Sequence, residues 1–128
     1  MAKVERFEDL KVWKDAIEIG LKIYELVETN LLAKDYRAKD QLIGAAISIS
    51  NNIAEGFEYN SNRQFIKYLA IAKGSAGELR SQLFLTYGSN KISKQDYESL
   101  YIELIQISSE LKGFITYLKE FEKKKKKE

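Results

Sequence analysis

From Tyr97 to Phe121 the apolar residues return every three or four positions. Tyr97, Leu100, Leu104, Ile107, Leu111, Phe114, Leu118 and Phe121 hold that rhythm for about seven turns, which fits one stripe of an α-helix and no strand. Three earlier segments share the period, and strand-like alternation is absent. Proline is missing from all 128 residues, so no helix interior is barred on that ground.

The first helix reads from about Asp9 to Glu28, with Asp9 as N-cap and Phe7 packing back as a staple. It carries two apolar seams side by side: Leu10, Trp13, Ile17, Leu21 and Tyr24, and next to them Val12, Ala16, Ile19, Ile23 and Leu26. A lone bundle usually buries only one such seam, so the second predicts contact with further copies. A polar connection over 29–34 leads to a second helix, about Asp35 to Phe57. Its core line is Leu42, Ala46, Ile49 and Ile53, and Gly56 suits a left-handed C-terminal cap. Ser61 and Gln64 open a third helix as a capping box, and Phe65, Leu69, Ala72, Ala76, Leu79 and Leu83 form its stripe. Gly74 and Gly77 inside that helix each cost about 1 kcal/mol relative to alanine, and close approach of another backbone is the expected compensation. Gly88-Ser89-Asn90 marks a turn, and Ser93 with Asp96 opens the fourth helix. The expectation is an all-α, antiparallel up-down-up-down four-helix bundle over residues 1–122, followed by a lysine-rich C-terminal tail, 123–128.

Charge needs dissecting. Without Lys123–Lys127 and Glu128, the 21 basic and 19 acidic residues become 16 and 18, so the bundle is slightly acidic and any anion attraction must be local. The third helix is the local exception. Arg63, Lys67, Lys73 and Arg80 face only Glu78 and fall within an arc of about 140°, whereas the first and fourth helices are net acidic. Pairing between neighbouring helices is the plain reading of this stripe. Aligned in several copies, the same residues would track a phosphate backbone. The lysine run, Lys123, Lys124 and Lys125 foremost, suits a helix C-terminus and gives sequence-blind attraction to polyanions.

Catalytic chemistry has few materials. There is no histidine and no cysteine, which removes the commonest general base, the commonest nitrogen ligand and every thiolate. The carboxylate-bridged metal site of some four-helix bundles requires Glu-x-x-His and fails outright. No serine sits in a nucleophile elbow, and Gly74 and Gly77 belong to a helix rather than a phosphate loop. Ser75 and Glu78 share a helix face. Their plain reading is close packing by Ser75 and an inter-helix bond from Glu78. Ser48 to Gly56, Ser-Ile-Ser-Asn-Asn-Ile-Ala-Glu-Gly, sets two asparagines and a glutamate among apolar residues. It reads either as a ligand or partner site, or as a polar network in which Asn52 and Glu55 tie the second helix to the start of the third. No enzyme, cofactor or metal is expected. The charged N-terminal residues lack a signal core, and no apolar run approaches the roughly 18 residues of a membrane span, so a cytoplasmic protein is expected.

Phe7-Glu-Asp-Leu10-Lys-Val-Trp13, Gln41-Leu42, Ala45-Ala-Ile-Ser-Ile49 and Asn52-Ile-Ala-Glu-Gly56 together resemble the 23S rRNA intervening-sequence protein family. The third block, Ser61-Asn-Arg-Gln-Phe65 through Ala72-Lys-Gly-Ser-Ala76 and Glu78-Leu79, is similar to the same family. The resemblance implies a four-helix bundle assembled as a homopentamer, with no established enzymatic activity. A structural relative binds nucleic acid and a reverse transcriptase. Two places depart from the pattern: Ile43 and Gly44 stand where arginines are common, and Ser50 where proline is common. The resulting expectation is a non-catalytic, homo-oligomeric helical scaffold that contacts RNA or a ribonucleoprotein. The alternative is a protein-binding adaptor without nucleic-acid contact.

Overall fold

Helices start where the chain supplies an acceptor for amides that have no partner in the preceding turn. Asp35 accepts from the Ala38 amide at 3.1 Å, Ser61 from Gln64 at 3.4 Å and Ser93 from Asp96 at 3.0 Å. The computed structural model, which describes residues 3–127, accordingly has α1 over Lys11–Leu26, α2 over Tyr36–Glu58, α3 over Asn62–Gly88 and α4 over Lys94–Lys127. The first helix starts differently from expectation. Asp9 closes a short 3-10 turn, Phe7–Asp9, and faces Arg6, while Leu10 occupies the N-cap position without a side-chain bond. Leu10 instead buries its side chain, and Phe7 packs edge-on against Trp13 with ring centroids 5.3 Å apart.

Cross-helix contacts give the direction of each helix. Along α1 and α4, Lys11 meets Glu110 and Lys22 meets Glu103, so the two run antiparallel. Asn62 with Glu122 and Arg80 with Ser108 show the same for α3 and α4. Ser48 with Ser75 and Phe57 with Phe65 show it for α2 and α3. Each helix therefore runs opposite to its neighbours, and all four surround one core. The expected stripes fill it: Ile19, Ile23, Leu42, Ile49, Ile53, Leu69, Leu79, Leu83, Leu104 and Leu111 are almost fully buried.

The seam of α1 that runs from Leu10 to Tyr24 is another matter. Trp13 and Ile17 are half-buried, but Leu21 and Tyr24 are 63% and 49% exposed. Phe121 is also exposed, because α4 extends past the first residues of α1, which begin opposite Glu110. Helix α4 continues through Lys127, so the lysine run assigned to a tail is helical.

Three sequence expectations change. The connection after α1 is a 3-10 turn, Asn30–Lys34, whose Leu32 is fully buried and plugs the core rather than facing solvent. Gly56 is no left-handed cap: it lies inside α2, and the left-handed residues are Asn60 (φ 53) and Asn90 (φ 64) at the two following turns. A Cβ on Gly56 would stand 2.6 Å from Tyr68 Cβ and 3.1 Å from Phe65 Cδ1, so the glycine is there to admit α3. Gly74 and Gly77 do not serve close packing within the chain, since nothing lies within 4 Å of a Cβ built on either.

Candidate nucleic-acid interface

The polar motif of α2 proves to be an internal fastening. Asn52 Nδ2 donates to the Ser48 carbonyl at 2.7 Å and to Ser48 Oγ at 3.0 Å, and Ser48 Oγ lies 2.7 Å from Ser75 Oγ. The network joins the middle of α2 to the middle of α3, not to its start. Ser75 is buried, and each partner satisfies a polar atom that would otherwise be costly there. Glu55 and Glu78 take no part: both are exposed and make no hydrogen bond or ion pair among the described residues. The expected bond from Glu78 to a neighbouring helix is absent among the described residues, and its side chain is exposed to solvent.

Helices α1 and α4 meet least closely, and polar side chains bridge the gap. Lys11 Nζ reaches Asp15 at 2.7 Å and Glu110 at 2.5 Å, and Lys22 Nζ reaches Glu103 at 2.6 Å. A shallow cleft of about 170 Å³ lies between the bridges, lined by Asp15, Glu18, Glu103, Gln106 and Ile107. Burial holds the Glu110 carboxyl above the ordinary glutamate range, and sharing a hydrogen bond with Asp15 adds to the effect despite Lys11. Asp15 is also desolvated, yet its bonds from Lys11 and Glu110 hold it below the usual value. Glu103 Oε2 and Glu110 Oε2 are buried without partners. Among the described residues no three carboxylates are placed to share a metal ion.

The basic residues behave differently from the pairing reading. Asp15 and Glu18 of α1 and Glu103 and Glu110 of α4 are engaged with Lys11 and Lys22, and none of Arg63, Lys67, Lys73 or Arg80 belongs to an ion pair among the described residues. Arg80 is half-buried and donates from Nη1 to Ser108 Oγ at 3.2 Å. Arg63, Lys67 and Lys73 are exposed. Asn62 and Arg80 mark the side of α3 that faces α4. At about 100° per residue, Lys73 lies near that direction and Arg63 and Lys67 turn outward from it.

The antiparallel pairing brings two further cations to this face. Between the Asn62–Glu122 and Arg80–Ser108 contacts, Lys73 stands within about one turn of Lys112, and Lys67 of Lys119. Around α4, Lys112, Lys119 and Lys123 all fall within about 80° of the direction to α3, on the solvent side. Lys123, Lys124 and Lys125 are exposed on the helical extension of the same element, with Lys123 weakly paired to Glu120 at 3.8 Å. Residues 62–77 of α3 and 111–119 of α4 contain no acid at all. The α4 stretch lies level with about residues 66–76 of α3, so Lys67, Lys73, Lys112 and Lys119 have no carboxylate at their level, whereas Arg63 lies level with Glu122, which Asn62 holds. Lys112 and Lys119 were not singled out in the sequence because each sits in a net-acidic helix; only the pairing of α3 with α4 reveals them.

The fold and this face define a four-helix-bundle protein with a cationic surface running along α3 and α4. The chain belongs to the 23S rRNA-intervening sequence protein family, whose profile matches residues 8–113. A crystal structure of a protein of unknown function from the S23 ribosomal protein family of Bacteroides thetaiotaomicron is similar to it. That similarity has a TM-score of 0.74 and 26% identity, and spans 81% of this chain and 97% of the other. No curated protein matches the sequence. No described helix is long and apolar enough to cross a membrane.

Proposed function

We propose that this protein is a non-catalytic, homo-oligomeric helical scaffold of the cytoplasm that contacts RNA or a ribonucleoprotein through the α3–α4 face. The observation that carries the reading is the set of exposed cations on α3 and α4, Arg63, Lys67, Lys73, Lys112 and Lys119, that form no ion pair among the described residues. Cations left unneutralised by their own chain are available to displace counterions from a phosphate backbone. Two apolar surfaces support self-assembly. Leu21 and Tyr24 on α1 are exposed, and so are Phe84, Leu85, Tyr101, Ile102 and Ile105 on α3 and α4. Two dissimilar patches on one chain suit a head-to-tail contact, and such contacts close into rings. A pentamer, as the family resemblance implies, is the ring we expect.

Titration of a structured RNA at increasing salt tests the proposal. Binding should weaken steeply with salt and disappear when Arg63, Lys67, Lys73 and Arg80 are all changed to glutamine. No binding at about 50 mM salt would remove RNA from the function. The exposed Phe84, Tyr101, Ile102 and Ile105 favour a second reading, a protein-binding adaptor without direct nucleic-acid contact. Recovery of a specific partner protein from nuclease-treated extract, undiminished by the four substitutions, would select it.

A further inference from the structure

The face of α1 that its own chain leaves open has a counterpart on α3, and its role rests on the proposed self-assembly. On α1, Lys14 and Leu21 are seven residues apart, so they point within about 20° of each other and stand about 10 Å apart along the helix. Both are exposed, Leu21 at 63%, and Lys14 forms no ion pair among the described residues. On α3, Glu78 and Leu85 repeat this arrangement with the opposite charge. They too are seven residues apart, Leu85 is likewise 63% exposed, and Glu78 is exposed and without an ion pair among the described residues. Within one chain the two lines do not meet, because α1 and α3 each pack against α2 and α4 and stand diagonally across the core.

Helix α4 gives their relative height. Lys11 reaches Glu110 and Lys22 reaches Glu103, while Arg80 meets Ser108. Ser108 is therefore level with about Lys14 on α1 and with Arg80, next but one to Glu78, on α3. Five residues along α4, Glu103 is level with Lys22, the neighbour of Leu21, and with about Leu85. To within about one turn, Lys14 stands at the height of Glu78 and Leu21 at the height of Leu85. A second copy laid alongside, with its α1 parallel to α3, sets lysine on glutamate and leucine on leucine in a single contact. Reversing α1 sets Lys14 on Leu85 and Leu21 on Glu78, a charge against an apolar side chain at both ends. Gly77, beside Glu78, has nothing of its own chain within 4 Å of a Cβ, so a neighbouring backbone can approach there. Arg63 and Lys67 lie past the height at which α1 begins, which leaves them outside the contact.

We infer that α1 of one copy docks in parallel on the outer face of α3 of the next, Lys14 pairing with Glu78 and Leu21 packing on Leu85. Because the two lines share one height, repeating the contact adds no climb along the bundle, as closure into a ring requires.

The test measures association of the full chain by sedimentation at low salt. Lys14→Glu or Glu78→Lys alone should weaken association by about fivefold or more, with helical circular dichroism unchanged. K14E/E78K in one chain re-creates the pair with its signs exchanged at every contact, and should return association to within about twofold of wild type. The chain has no cysteine, so linking by a short bis-maleimide reports the contact directly. Co-expressed Leu21→Cys and Leu85→Cys chains should link to each other, and neither variant should link to itself. A double variant no better than the single ones, self-linking of Leu21→Cys, or no link in the mixture would overturn the pairing while leaving assembly standing. A wild-type monomer would overturn both the pairing and the proposed self-assembly.

Discussion

Glycine has opposite meanings at two positions of this chain, and the difference is one of neighbours. At Gly56 an added methyl would press on the Tyr68 Cβ and the Phe65 ring, and the Tyr68 Cβ cannot swing aside because it is fixed to the α3 backbone. Gly56→Ala should therefore destabilise the fold by about 1–3 kcal/mol, the usual range for overpacking. Gly74→Ala meets open space and should stabilise it by up to about 1 kcal/mol through helix propensity. Urea unfolding of the two variants checks the opposed signs; a matching sign in both would show that local propensity, not the α2–α3 approach, sets the cost at Gly56. The sequence showed that these residues were unusual but not why. Gly56 stands where a cap belongs, and only the placement of Tyr68 reveals a contact. Ser48 and Ser75, 27 positions apart, meet only once α2 and α3 are paired.

Among the elements, α1 is joined to α4 by titratable groups. Glu110 is raised by burial, so the folded chain binds its proton more tightly than the unfolded chain does. Its contribution to stability is complete below the ordinary glutamate value and is lost as pH rises through the raised one. Asp15 is lowered, and runs the other way: its contribution is present above the ordinary aspartate value and is lost as pH falls through the lowered one. Glu110→Gln should then raise the thermal midpoint at pH 7, with the gain shrinking toward pH 4. Thermal melts across that range measure it, and an unchanged or lower midpoint at pH 7 would mean that the bond to Lys11 outweighs burial. The helices themselves were legible because three-four periodicity survives without tertiary information. The polar α1–α4 seam was not, since Lys11 and Glu110 are 99 residues apart and look like ordinary surface charge on separate helices.

At the scale of the whole molecule, the surplus seam of α1 was already plain in the sequence, and the structure leaves its outer half, Leu21 and Tyr24, uncovered. Light scattering on the eluting protein should give a mass several times the 14.8 kDa of one chain. Leu21→Lys with Tyr24→Lys should reduce it to one chain with the helical circular dichroism intact; a wild-type monomer would leave the seam without a role in assembly. The cationic face was only half legible. The stripe on α3 follows from helical angles, but its completion by α4 depends on how far along each other the two helices lie. That offset is set at the tight turn where Asn90 adopts its left-handed conformation. The face is thus a property of alignment, inherited through the length of a connection as much as through its lysines. Removing a single residue between Gly88 and Ser93 would turn α4 by about 100° against its partner, or force it to slip to restore its core contacts. Every cation would persist in the sequence, and the surface they form together would be gone.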